Sequence, residues 1–298
     1  MGFDAHSLTF LLEASREGVS FEDCLTLGRQ GLAVTRRQMR TAFARAGRPL
    51  DDETASRLLA NPEGGQAGYA ETFLLRHCGA ARITSLDCRD HEGATFIHDL
   101  NVPVPNTMAS RFSCVIDGGT LEHIFNVPVA LASCMRMVRT GGHLLIVTPA
   151  NNQMGHGFYQ FSPELFWTAL SEPYGFAVER MFVCETRPGA PRYVVANPAS
   201  LGARVTLRNR RETTLLVQAR KLREERLDAL APQQSDYAEI WRDGAARAAP
   251  VPPGVTRATR TLRSVLPEPL KRVLRPILQA TVERLMGPYR PPFYTKDR

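Results

Sequence analysis

Apolar residues recur along this chain in short blocks whose spacing alternates between helical and strand periods. Leu8, Leu11 and Leu12 fall on one face of a helix over Met1–Gly18, with charged residues opposite. Glu22–Leu27 is a short apolar run closed by Gly28, which predicts a first strand. Thr35–Ala46, Asp52–Leu59 and Tyr69–Cys78 read as helices, punctuated by Gly47-Arg-Pro and Asn61-Pro-Glu-Gly-Gly. Further strands are predicted at Arg82–Asp87, Ala94–Asp99, Phe112–Asp117, His143–Thr148, Phe176–Glu185 and Thr213–Ala219. Between them Pro128–Val138 is helical and stops at Gly141-Gly142, and Ser162-Pro-Glu opens a helix to Ser171.

Strands that alternate with helices build a mainly parallel sheet covered on both faces, here an α/β, Rossmann-like architecture. Ligands of such sheets sit outside the carboxyl ends of the strands. That edge follows Leu27, Asp87, Asp99, Asp117 and Thr148, and three of these five positions are aspartates. A glycine at the first turn admits backbone close to a ligand. An acid at the end of the second strand accepts from ribose hydroxyls. Asp87 is placed for the ribose and Asp99 for the adenine of a nucleoside cofactor; each alone equally suits a turn-capping carboxylate.

The stretch Asp117-Gly-Gly-Thr-Leu-Glu-His-Ile-Phe, the helix and Gly141-Gly142 after it, a strand ending in Pro149, and Gly175-Phe176 together resemble class I S-adenosylmethionine-dependent methyltransferases of the Leu-Glu-His motif group. The resemblance covers roughly 21–221. It implies a seven-stranded sheet of order 3-2-1-4-5-7-6 with the last strand antiparallel, S-adenosylmethionine as cofactor, and Gly28, Gln30, Asp87, Asp99, Asp117 and Gly118 as residues around it. The glycine loop departs from that family: Thr26-Leu-Gly-Arg-Gln-Gly-Leu carries Thr26 at the acidic position and Gln30 at the central glycine. Gln30 either crowds the methionine part of the cofactor or hydrogen-bonds its carboxylate. An insertion at about 33–66 precedes the second strand.

A hydroxyl acceptor requires a general base. His123 is one candidate, and otherwise a helix-start histidine that packs or caps. The loop Asn151–Gln160 gathers amide, imidazole, phenol and glycine at the same edge, and His156 and Tyr159 are candidates to contact an acceptor hydroxyl. The alternative is a hydrogen-bonded loop whose Phe158, Tyr159 and Phe161 cover the sheet. This loop is the ground for expecting a small or glycan-like hydroxylated acceptor. A non-catalytic, methyltransferase-like binding or scaffold protein is the competing expectation, motivated by Gln30 and Leu32. No Asn-Pro-Pro-Tyr motif follows the fourth strand, and no P-loop, HExxH or dinucleotide fingerprint occurs.

Composition changes this picture at one place. The formal charge of the 298-residue chain is +7, yet 257–298 alone holds ten Lys and Arg against three Asp and Glu, and the remaining residues hold 27 of each sign. A separate tail is therefore expected after a charged helix at Arg220–Ala231 and a linker, within 222–256. Leu262, Leu266, Leu270, Val273, Leu274, Ile277 and Leu278 recur in the tail at helical spacing among arginines. Such a stretch docks to an anionic membrane surface, a partner groove or its own domain. RNA is not the expected partner, because aromatics enter the tail only at Tyr289, Phe293 and Tyr294. The six cysteines form no CxxC or Cys/His spacing, and no metal site is expected. Met1–Leu12 lacks the basic start and apolar run of a secretory leader, and a cytoplasmic location is the expectation.

Overall fold

The computed structural model describes residues 2–60, 68–90, 92–227, 230–237, 287–289 and 291–297. The chain opens with β1 (Gly2–Phe3) and α1 (Ala5–Arg16), whose first turn is capped by Asp4 accepting from the Ser7 amide at 2.8 Å. Next come β2 (Asp23–Leu27), β3 (Gly31–Leu32), α2 (Arg36–Arg45) and α3 (Asp52–Leu59). Thr35 and Gln38 form a reciprocal capping box on α2, and Asp51 caps α3, so both helices start where the sequence predicts. A short α4 (Glu71–Phe73) widens into a π turn over Leu74–Cys78 and ends on left-handed Gly79.

The order then runs β4 (Arg82–Asp87), β5 (Phe96–Ile97), β6 (Phe112–Asp117), α5 (Val127–Met137), β7 (Val138–Asn151), α6 (Pro163–Ala169), β8 (Phe176–Glu185), β9 (Arg192–Val195), α7 (Pro198–Leu201), β10 (Thr213–Lys221) and β11 (Tyr294–Lys296). The main sheet is β11-β9-β8-β10-β7-β6-β2-β4-β5. Its seven predicted strands keep the order 3-2-1-4-5-7-6. Strands β5, β4, β2, β6 and β7 are parallel, and β10 is antiparallel to both β7 and β8. Two strands not predicted, β9 and β11, extend the β8 edge antiparallel, making the sheet nine-stranded and mixed.

Strand periodicity divides the core. Cys114 and Ile116 of β6 face one side with Leu145, Phe182 and Leu216, beneath α1, α2 and the π turn. Val115 faces the other with Leu144, Ile146, Leu215 and Val217, beneath α5 and α6. Every residue of β6 is buried, as expected of a central strand covered on both faces.

The charged helix expected at Arg220–Ala231 is not there in its described part. Strand β10 continues to Lys221, which pairs with Phe176, and 222–227 is irregular. The buried Lys221 ammonium donates to the Val138 carbonyl at 2.8 Å and meets Glu224 at 2.9 Å, while the Leu222 amide donates to Gly175 at 2.7 Å. These tertiary partners outweigh the small helix preference of the charged residues. The apolar and basic positions of the tail from Arg257 to Leu285 lie outside the described residues. Its described end belongs to the main sheet: β11 pairs with β9, and Tyr289 stacks on Tyr193 with ring centroids 4.2 Å apart. Among the described residues no helix is long and apolar enough to cross a membrane.

Candidate functional site

The chain lays β4 and β5 on one side of β2 and then crosses to β6 on the other, so strand order reverses at β2. At such a reversal the loops leaving neighbouring strands part and open a crevice at their carboxyl ends. Gly28 leaves β2 with φ +70°, and its amide donates to the Leu86 carbonyl at 2.7 Å. A Cβ at Gly28 would lie 3.7 Å from Asp87 Oδ2. The first-turn glycine and the acid ending β4 thus face each other, both half-buried. Asp87 Oδ1 accepts from the Arg89 amide at 3.0 Å.

Asp99 is exposed, two residues beyond β5. One of its oxygens accepts from the Asn101 amide and side chain at 2.9 and 2.8 Å, bonds that hold its carboxyl below the usual range. Asn101 in turn holds Asn126, joining this loop to the one after β6.

The glycine loop does not lead into a helix. Past Gln30 the chain forms β3, which pairs in parallel with β1 and brings Phe3 to the site. The Gln30 side chain is 5% exposed and folds back so that Nε2 donates to the Leu27 carbonyl. Its Oε1 is buried without a partner among the described residues. A Cβ on Gly118 would lie 2.6 Å from that oxygen and 2.7 Å from the Phe3 ring, so only glycine fits there. Of the two roles expected for Gln30, its bulk is visible: with Phe3 it fills the space in front of Gly118. The contribution of Phe3 has no local signature, since it depends on the β1–β3 pairing.

Asp117 ends β6 fully buried. Its Oδ1 accepts from the Thr120 and Leu121 amides at 2.8 and 3.4 Å, and its Oδ2 has no partner. Those bonds hold a 3-10 turn over Leu121–His123, which points Glu122 inward and His123 outward. Glu122 is 1% exposed, its Oε2 accepts from the Thr148 hydroxyl of β7 at 3.1 Å, and its Oε1 lies 3.6 Å from His156 Nε2. Burial pushes Asp117 up to about 7, against its backbone hydrogen bonds. Burial and then the charge of Asp117 push Glu122 up to about 8. His123 is lowered, first by desolvation and then by His156.

The loop after β7 closes this cluster. The Phe158 and Tyr159 amides both donate to the Glu122 carbonyl, at 2.8 and 3.2 Å. The rings of His123 and His156 sit 5.2 Å apart. Asn151 and Asn152 are pinned by Asn209 and Arg211, and Gln153 by Thr213, so the amides of the loop shape it. Tyr159 donates its hydroxyl to the Phe125 carbonyl at 2.7 Å and stacks on Phe161, the covering arrangement. Phe125 and Phe158, 70% and 66% exposed, pack edge to face at 5.8 Å beside the histidines. His123 and His156 are therefore brought together with Tyr159 held on Phe125 close by, and Gly28 and Asp87 face each other at the ends of β2 and β4. Glu122 stands at this edge in the sequence with no role assigned to it, because its burial is imposed from β7.

The fold that carries this site is a doubly wound α/β sheet in which the seventh predicted strand, β10, is antiparallel, as the resemblance implies, with β9 and β11 added beyond β8. No protein-family model matches the sequence, and no curated protein matches it. Among solved structures, the chain is similar to a putative methyltransferase from Bacillus halodurans C-125, with 10% identity, 72% of this chain and 98% of that chain covered, and a TM-score of 0.36. It is also similar to an N-methyltransferase, NodS, from Bradyrhizobium japonicum WM9, with 13% identity, 73% and 96% covered, and a TM-score of 0.37. A mutein of the branched-chain polyamine synthase from Thermus thermophilus, solved with N4-aminopropylspermidine and 5'-methylthioadenosine, matches at 12% identity over 80% of this chain and 62% of that chain, with a TM-score of 0.40. Likenesses this distant add nothing to the strand order, which rests on the hydrogen-bonded ladders of the chain itself.

Proposed function

We propose that this chain is an S-adenosylmethionine-dependent methyltransferase whose acceptor is a small or glycan-like hydroxylated molecule. The observation that carries the reading is the facing pair Gly28 and Asp87 at the carboxyl ends of adjacent parallel strands beside the reversal of strand order. The residues present suit the cofactor's chemistry. Asp87 offers an acceptor for ribose hydroxyls, Asp99 lies on the neighbouring loop for the adenine, and Gln30 Oε1 and Asp117 Oδ2 are buried acceptors awaiting donors. When bound, the cofactor supplies a methyl group activated by a sulfonium.

His123 is assigned as the proton acceptor for a hydroxyl, since its lowered pKa keeps the imidazole neutral at pH 7. His156, held 3.6 Å from the Glu122 carboxyl, is the second group facing the acceptor. The exposed faces of Phe125 and Phe158 offer an apolar platform of the kind that sugar rings stack upon.

A non-catalytic binding role is favoured by one observation, the Gln30 and Phe3 side chains packed in front of Gly118. Calorimetry with S-adenosylmethionine and S-adenosylhomocysteine separates the two. Binding, weakened roughly 10–100-fold in Asp87→Ala by loss of charged hydrogen bonds, is expected. Folded protein that binds neither ligand at millimolar concentration overturns the enzyme reading.

A further inference from the structure

We propose that Glu122, His123 and His156 form a binding site for one first-row divalent transition-metal ion, open toward the acceptor. The acceptor role of the ion rests on the methyl-transfer reading; the ion site does not. One ligand atom from each of the three residues can be chosen so that all lie within 4.8 Å of one another. The Glu122 Oε1 to His156 Nε2 separation is 3.6 Å. Two ligands at about 2.0–2.2 Å from one ion and at a tetrahedral angle stand roughly 3.3–3.6 Å apart, a span the Glu122–His156 edge already meets, with a His123 ligand atom within 4.8 Å of both.

The surroundings are built to keep the three together. Glu122 is buried, with Oε2 tied to the Thr148 hydroxyl, which orients Oε1 toward the histidines as an outer-shell partner orients a ligating carboxylate. Among the described residues the ion-pairing neighbour of this buried carboxyl is the His156 imidazole. His156 is fixed by the residue that follows it. A Cβ at Gly157 would stand 2.7 Å from the Glu122 carbonyl oxygen and 3.1 Å from His123 Nδ1. The Phe158 and Tyr159 amides then clamp the loop onto that same carbonyl. Backbone contact between a turn after β6 and a loop after β7 thus places a histidine against an adjacent Glu-His pair.

Two imidazoles and one carboxylate select zinc, cobalt, manganese or iron over magnesium and calcium, which favour all-oxygen sets. His123 and His156 are exposed, so the remaining coordination positions face the mouth beside Phe125 and Phe158. An acceptor hydroxyl bound there is acidified by the ion and loses its proton to bulk water, so activation passes from His123 to the metal.

The test uses the full chain, stripped with a chelator and titrated with cobalt(II) or zinc(II) chloride alone. Visible absorption reports the cobalt, and competition with a chromophoric chelator reports the zinc. One ion per chain is expected, with affinity reduced at least about ten-fold in both His156→Ala and His123→Ala. Cys88→Ala, which removes the exposed thiol, leaves it unchanged. Folded wild-type protein that binds neither ion at millimolar concentration, or binding unaltered in both histidine variants, overturns the proposal. S-adenosylhomocysteine calorimetry on the same samples distinguishes the two readings. Ion binding without cofactor binding defeats only methyl transfer, and cofactor binding without ion binding defeats only the metal site.

Discussion

Replacing Gly157 with alanine puts a methyl carbon 2.7 Å from the Glu122 carbonyl oxygen and 3.1 Å from its carbonyl carbon. Both are backbone atoms that cannot rotate away, so the loop after β7 must lift by roughly half an ångström or more, overpacking of a kind that costs about 1–3 kcal/mol. The same carbonyl accepts from the Phe158 and Tyr159 amides at 2.8 and 3.2 Å, and lifting the loop weakens both bonds. Losing both at about 0.5–1.5 kcal/mol each brings the expected destabilisation to about 2–6 kcal/mol.

Urea unfolding should show this as a lower midpoint with an unchanged slope. Gly155→Ala is the control. Its φ is +86° with nothing within 4 Å of the added carbon, so it bears only left-handed strain, about 1–2 kcal/mol. The two variants also differ in coupling. His156→Ala on top of Gly157→Ala should add less than it does in the wild type, because the lifted loop has already parted His156 from Glu122. A Gly157→Ala protein within about 0.5 kcal/mol of wild type, the usual range for an innocuous surface change, would refute the contact and the clamp argued from it.

A maleimide should label one thiol in the native protein, Cys88, because the other five cysteines are buried. Desolvation and the adjoining Asp87 raise the Cys88 pKa and slow the reaction, and S-adenosylhomocysteine on Asp87 should slow it further; a second thiol labelled before unfolding, found by mass spectrometry, counts against the packing. Asp117 and Glu122 are raised in the fold, so their contribution to stability is full below their unfolded values and is lost as pH rises through neutrality. Asp117→Asn should flatten that decline between pH 5 and pH 8.5, and an unaltered difference in urea midpoints is the contrary result. Arg192→Met breaks a half-enclosed bridge to Glu13 at 2.8 Å and Asp297 at 2.6 Å, which ties α1 to the segment after β11. A loss of about 3–5 kcal/mol with earlier proteolysis near 291–297 is expected, and unchanged stability would show the bridge to be idle.

The strands Arg82–Asp87, Phe112–Asp117 and Phe176–Glu185 and the helix Asp52–Leu59 fall where their patterns predict. Each is a short apolar or capped segment whose boundaries are local events. Arg192–Val195 carries no strand pattern of its own, because four residues among glycine, proline and arginine become a strand through pairing with β8 on one side and Tyr294–Lys296 on the other. The charged run after β10 stays irregular for the converse reason. Helix preference is a fraction of a kcal/mol per residue, and the buried bond of Lys221 to Val138 with the Leu222 bond to Gly175 exceeds it.

At the site, the sequence by itself determined the chemistry available: a glycine turn, aspartates at strand ends, an adjacent Glu-His pair and a His-Gly loop. Tertiary structure decided what each can do. The Gln30 amide turned back on the Leu27 carbonyl because β3 found β1 as a partner, and Glu122 became a buried carboxyl because Thr148 and the loop after β7 closed over it. Burial and ligand geometry are set by residues tens of positions away, and no local pattern carries them.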